Sequence, residues 1–282
     1  MKNKSSTIAL LLIFLVGLSL LLYPTFSNYW NSFTQSRAIA SYSEKVAEID
    51  TEEYDRILQY AKNYNDLFVG RTSLWVLNED QRNAYNEQLN VFGNGVMGYI
   101  EIEKIKCSLP IYHGTSDSVL QIAVGHLDGS SLPVGGTGTH CVLSGHRGLP
   151  SAKLFTDLDQ LGEGDTFVLY VLDEMYTYQV DQIRIITPDD LSALTVEPDK
   201  DLCTLVTCTP YGVNSHRLLV RGQRIDNIIV SNVKVTADAM QIEPMIVAPV
   251  VAIPILLSLL LMIVVKDIRM KLRGRKIRKL QK

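Results

Sequence analysis

Proline is absent from residues 32–91, and glycine occurs there once, at Gly70. Without chain breakers, and with Ala, Glu, Gln, Lys and Tyr abundant, this stretch reads as two or three helices. The spacing of Ile57, Tyr60, Ala61 and Tyr64 marks an apolar stripe on one of them. Cysteine is scarce as well, with Cys107, Cys141, Cys203 and Cys208 the only four in 282 residues. That excludes a disulfide-dense small scaffold, because a chain of this length buries a core without covalent staples. Basic charge is short in the middle: residues 24–244 carry 16 Lys and Arg against 29 Asp and Glu, which excludes nucleic acid as a partner. Internal repeats and low-complexity tracts are lacking too, so a solenoid is excluded.

Long uncharged runs, by contrast, stand near both ends. Ile8–Tyr23 follows Lys2 and Lys4, and Met245–Val265 gives 21 uncharged residues, enough to cross a hydrocarbon core of ~30 Å as a helix. Pro249 and Pro254 fall inside the second run, where a membrane helix tolerates them. A cleavage-like pattern at Ala38-Ile39-Ala40 lies too far beyond the first run for a cleaved signal peptide, so that run is expected to be an uncleaved signal-anchor. The tail 266–282 holds nine basic residues and one acid, Asp267. Positive charge flanking both runs predicts two membrane passes in a lipid bilayer, with both termini cytoplasmic and residues of about 24–244 outside. The expected partition is a cytoplasmic N-terminus 1–7, an anchor 8–28, a helical region 29–95, a β domain 96–225, a linker 226–244, a span 245–265 and a basic tail 266–282.

From Val96 onward glycine and proline become frequent, and apolar residues alternate with polar ones, as in Tyr99–Glu103 and Tyr176–Val180. Further strands are expected at 107–112, 140–144, 166–172, 182–186, 202–208 and 217–224. About eight short strands separated by turn signals predict a mainly β domain, a closed barrel or a sandwich.

Cys208 ends the run Thr204-Leu205-Val206-Thr207, just before Thr209-Pro210-Tyr211-Gly212, so its thiol is expected at a rim. Arg217 follows nine residues later on the next strand, which can return antiparallel and bring the two to one end. An arginine there supplies fixed positive charge for a thiolate and hydrogen bonds for a carbonyl oxygen becoming negative. Among the five histidines, His146 sits in a turn after a strand, and His126 and His216 are the other candidates for a proton partner. The competing reading is a pair of disulfides, including one between Cys107 and Cys141.

Leu205-Val206-Thr207-Cys208 followed by Arg217, with Ser144-Gly145-His146-Arg147 upstream, resembles the sortase signature over residues of about 97–225. The resemblance implies a closed eight-stranded sortase β-barrel of Gram-positive bacteria with His146, Cys208 and Arg217 catalytic. His126, Thr207 and Leu205 are candidate substrate contacts beside them. It implies a cysteine transpeptidase that cleaves a Leu-Pro-X-Thr-Gly sorting signal, and no cofactor or metal. The N-terminal helices, second span and basic tail, with the run His126-Leu127-Asp128-Gly129, look like the class C, pilin-polymerising sortases, whose acceptor is a pilin lysine. Alternatives are a sortase that uses a peptidoglycan cross-bridge amine, and a catalytically silent two-span surface protein. One departure is that residues 66–96 contain no Asp-Pro, so the class C lid motif is missing, and Trp75 is more simply a packing residue than a plug. Leu132-Pro133-Val134-Gly135-Gly136-Thr137-Gly138 resembles a sorting signal only loosely and is read as a loop.

Overall fold

The proline-free segment does form helices: α1 (Lys2–Val46), α2 (Thr51–Asp66) and α3 (Glu79–Glu87). The structure, a computed structural model, describes residues 2–70 and 76–227, with isolated helical positions at 254, 258, 262, 265 and 269. Apart from those positions, the expected span 245–265 and tail 266–282, most of the linker 226–244, and Trp75 lie outside the described residues. Among the described residues, one helix is long and apolar enough to cross a membrane, over Leu11–Val46. No boundary interrupts α1 at residue 28, because neither Gly nor Pro follows Pro24 before its end at Val46.

Residues 26–46 of α1 lie along the β domain through one polar stripe. Asn28 Oδ1 accepts from Lys153 N at 2.9 Å, and Asn31 Nδ2 donates to Ser151 O at 2.8 Å. Gln35 Nε2 donates to Ile122 O at 2.7 Å. Tyr42 OH donates to Met97 O at 2.9 Å and accepts from Leu172 N at 2.7 Å. Steps of three, four and seven residues keep all four on one helix face. Helix α2 starts where Asp50 caps the amide of Glu53 at 2.8 Å. Its buried Asn65 grips Leu132 at both backbone atoms, at 3.1 and 2.6 Å. Helix α3 opens on a capping box between Asn78 and Gln81.

Eight strands close the barrel: β1 (Val96–Ile102), β2 (Cys107–His113), β3 (Val124–His126), β4 (Thr139–Ser144), β5 (Thr166–Val171), β6 (Glu174–Ile186), β7 (Asp201–Thr209) and β8 (His216–Arg224). They run in the order β1-β2-β3-β4-β7-β8-β6-β5. The β2–β3 and β4–β7 pairs are parallel, and the other pairs are antiparallel. Side chains alternate with period two. Cys141 and Leu143 of β4, Cys203 and Leu205 of β7, and Leu218 and Val220 of β8 join the interior with Ile100, Phe167 and Tyr178. Their neighbours Val142, Val206 and Leu219 face the other way and are covered by Leu194 and Ala193 of the β6–β7 connection.

Two of the expected strands, 176–180 and 182–186, are one strand, β6. A bulge at Asp181 between Val180 and Gln182 flips the alternation, which is why the pattern looked interrupted. Arg221 fastens that bulge. Its Nε and Nη2 meet the two Asp181 carboxylate oxygens at 3.0 and 2.6 Å, and its Nη1 meets Glu197 Oε1 at 2.7 Å. The strand that went unexpected is β3, three residues long and too short for a periodic signal. All four cysteines are free thiols. The cross-strand partner of Cys141 is Cys203, not Cys107, because in-register β4–β7 pairing sets those two side by side.

Candidate active site

The ladder between β7 and β8 sets Cys208 directly opposite Arg217. Both are partly exposed, and alternation puts them on the outward side with Val206 and Leu219. On the other flank of β7, the parallel β4 ladder ends at Ser144↔Val206. The chain keeps that register for one more step. Gly145 N donates to Val206 O at 3.0 Å, and Thr207 Oγ1 donates to Gly145 O at 2.8 Å. His146 therefore leaves β4 two residues past Ser144, alongside Cys208, two residues past Val206. Cysteine and arginine come from facing strand ends, and histidine from the turn just beyond the end of β4 on the other flank of β7.

Gly145 is required at this crossing. A Cβ there would sit 2.6 Å from the ring of Phe155, which is fully buried. Phe155 in turn donates its amide to His146 O at 3.0 Å, so the same residue packs under the turn and holds its backbone. Arg217 Nη1 bonds Asn214 O at 3.2 Å and His216 O at 3.1 Å, which anchors the guanidinium at the β7–β8 loop. Arg147 was not singled out from the sequence. It is ion-paired with Asp159 and stacks over Tyr211 at 5.8 Å, so the turn after His146 is tied to the loop after Cys208. Its adjacency to His146 and the aromatic in Thr209-Pro210-Tyr211-Gly212 were the available signals, but only the fold shows that they meet.

The other histidines are placed elsewhere. His216 pairs with Thr209, and alternation turns it to the opposite side from Cys208. His113 and His140 are hydrogen-bonded inside the fold, and burial pushes both below the ordinary imidazole value. The expected substrate contacts His126, Thr207 and Leu205 are 0%, 2% and 0% exposed, so they present no surface to a bound peptide. His126 belongs to a buried junction: its Nδ1 meets Tyr85 OH at 2.9 Å and its Nε2 meets Ser131 O at 2.8 Å. Thr207 acts through Gly145, and Leu205 is core. Burial pushes the Cys107 thiol up to about 12, leaving it protonated.

Fold and site together define a class: a closed β-barrel with a partly exposed thiol at a strand end, opposite an arginine on one neighbouring strand and with a histidine in the turn that follows the other. Comparison with known proteins identifies the class. The Sortase domain family profile matches residues 100–225. Sortase C1 from Streptococcus agalactiae is 54% identical, with a TM-score of 0.67, and the likeness covers 68% of this chain and 100% of that one. Sortase C of Streptococcus pneumoniae, whose structure is described as bearing on catalysis and pilin substrate specificity, is 40% identical with a TM-score of 0.60, over 68% of this chain and 97% of the other. Sortase D of Bacillus subtilis is 33% identical over 131 residues, 45% of this chain and 63% of the relative, so the match spans a little under two thirds of that protein. The chain belongs to the sortase family.

Proposed function

We propose that the chain is a membrane-anchored cysteine transpeptidase that joins a sorting signal of the Leu-Pro-X-Thr-Gly kind to a pilin lysine. The observation that supports this reading is Cys208 directly opposite Arg217 in the β7–β8 register, with His146 in the turn two residues past the end of β4, the strand on the other flank of β7. Cys208, as thiolate, attacks the threonine carbonyl carbon of the Thr-Gly bond. The electron pair driven onto the carbonyl oxygen is met by the guanidinium of Arg217. Collapse breaks the C–N bond, and His146, as imidazolium, delivers a proton to the departing glycine amine, leaving a thioester on Cys208. A lysine amine then attacks the thioester and loses its proton to His146, and the amide forms as Cys208 is released. Water in place of the amine gives hydrolysis.

The likeness to the streptococcal sortases C supports a pilin acceptor. The apolar part of α1 serves as the anchor, and the second pass and cytoplasmic tail of the two-pass topology are part of this proposal.

The test incubates the full-length protein in detergent with a pilin domain bearing a Leu-Pro-X-Thr-Gly signal, alongside Cys208→Ala. Covalent ladders are expected with wild type alone, and ladders that persist with Cys208→Ala would refute the mechanism. Transfer to a short glycine peptide but not to pilin would move the acceptor to the cell-wall cross-bridge.

A further inference from the structure

The β4–β7 ladder holds a pair of thiols apart from Cys208. Cys141 and Cys203 are direct partners in its parallel register. Both are free, and both lie in the barrel interior at 2% and 0% exposure. Backbones of adjacent strands lie ~4.8 Å apart, inside the 4.4–6.8 Å range across which a disulfide closes without moving the backbone. Both side chains share the interior side of the ladder with Leu143 and Leu205. His126 of β3 pairs with Leu143, two residues past Cys141 on β4. Each cysteine precedes a site residue by the same five positions, Cys141 before His146 and Cys203 before Cys208.

We propose that Cys141 and Cys203 are a disulfide-forming pair which, when oxidised, clamps β4 to β7 and fixes the register of His146 against Cys208. The oxidant is an external disulfide, of low molecular weight or on an oxidoreductase, as expected for a domain outside the membrane. Cys141 attacks one sulfur of that disulfide, and one thiol leaves with a proton. Cys203 then displaces the second thiol, which takes the other proton. Two protein thiols are oxidised to one S–S bond, and one external disulfide is reduced to two thiols. Burial raises both thiols. Burial is the largest influence at each, and Cys203 stays well above its ordinary value. The order of the two sulfurs can be exchanged without changing the product. Because the pair is buried, exchange takes place before the strands close or when they part.

Five residues of strand separate Cys203 from Cys208 by ~16 Å, beyond disulfide reach, so the clamp leaves the proposed nucleophile reduced. The inference rests on Proposed function only for the location and for the meaning of His146 and Cys208. Its test reads thiol pairing and melting, so its failure and the failure of the transpeptidase reading are distinguishable.

Full-length protein, unfolded and refolded in a buffer of oxidised and reduced glutathione, is denatured again, labelled with a maleimide and mapped by mass spectrometry. The expected result is label on Cys107 and Cys208 only, a reductant-sensitive link between the Cys141 and Cys203 peptides, and a melting temperature about 10 °C above the reduced form. Cys203→Ala should abolish the link and leave Cys141 labelled. Four labelled thiols in wild type, or a link that includes Cys107 or Cys208, would overturn the proposal.

Discussion

Replacing Thr207 by valine keeps the shape of a 2%-exposed side chain and deletes one hydrogen-bond donor. That donor meets Gly145 O at 2.8 Å, and Gly145 immediately precedes His146. In the variant the Gly145 carbonyl is buried beside a methyl group, and an acceptor left unpaired in this way costs about 1–3 kcal/mol. The bond from Gly145 N to Val206 O at 3.0 Å survives, so the strand end holds while the turn beyond it loosens. Thermal denaturation should show a fall of about 2–12 °C. The consequence for chemistry is larger than for folding, because a displacement of about 1 Å in a reacting group costs on the order of 100-fold. Steady-state transpeptidation of a Leu-Pro-X-Thr-Gly peptide should therefore show kcat down by about 10–100-fold with KM little changed, and Thr207→Ser should restore it. Thr207 touches no substrate in this account and acts by positioning His146. A valine variant that melts lower yet keeps full kcat would refute the link from Thr207 through Gly145 to His146.

Two further outcomes follow from the buried polar groups. Tyr85→Phe removes the hydroxyl that serves His126 Nδ1 at 2.9 Å, His126 O at 3.2 Å and Gly114 N at 3.0 Å. It should cost about 1–3 kcal/mol in denaturant unfolding while Cys208 remains open to thiol labelling, and an unchanged unfolding midpoint would contradict the junction. Stability should also fall with acid. The His113 ring bonds Gly95 O and Gln88 O, the His140 ring bonds Thr195 O and Thr204 Oγ1, and burial holds both below the ordinary imidazole value. A depressed histidine binds fewer protons folded than unfolded, so its contribution is present above about pH 6.5 and is lost as pH falls below that. Asp201, whose carboxyl burial raises, works in the opposite sense and only nearer its own lower range. A melting temperature that stays flat from about pH 7.5 to 5 would contradict this, and His140→Gln should flatten the profile in part.

The expectation of eight strands agreed with the barrel through two departures that offset each other. The bulge at Asp181 makes one strand look like two, and β3 is too short to carry a period. Neither is a matter of local preference. A bulge is defined by what lies opposite it, and β3 exists because β2 and β4 stand on either side. The site divides in the same way. Cys208 and Arg217 were readable as neighbours because a short hairpin joins their strands, and hairpin partners are fixed by sequence distance. The closeness of His146 depended on the parallel β4–β7 pairing, which is bridged by more than fifty residues of intervening chain and has no local signal.

By itself the sequence determined the helical N-terminal region, the apolar run that lies inside a long helix, the β character after Val96, and the motif that marks Cys208, Arg217 and His146. These are encoded by periodicity, chain breakers and residue chemistry within a few positions. Only the tertiary structure decided that His126 is a core junction, that Thr207 holds the turn of His146, and that Arg147 reaches Tyr211. It also decided that Cys141 faces Cys203. Each of those rests on which strands become neighbours when the barrel closes, and that choice is made by burial of the whole interior rather than by any segment alone.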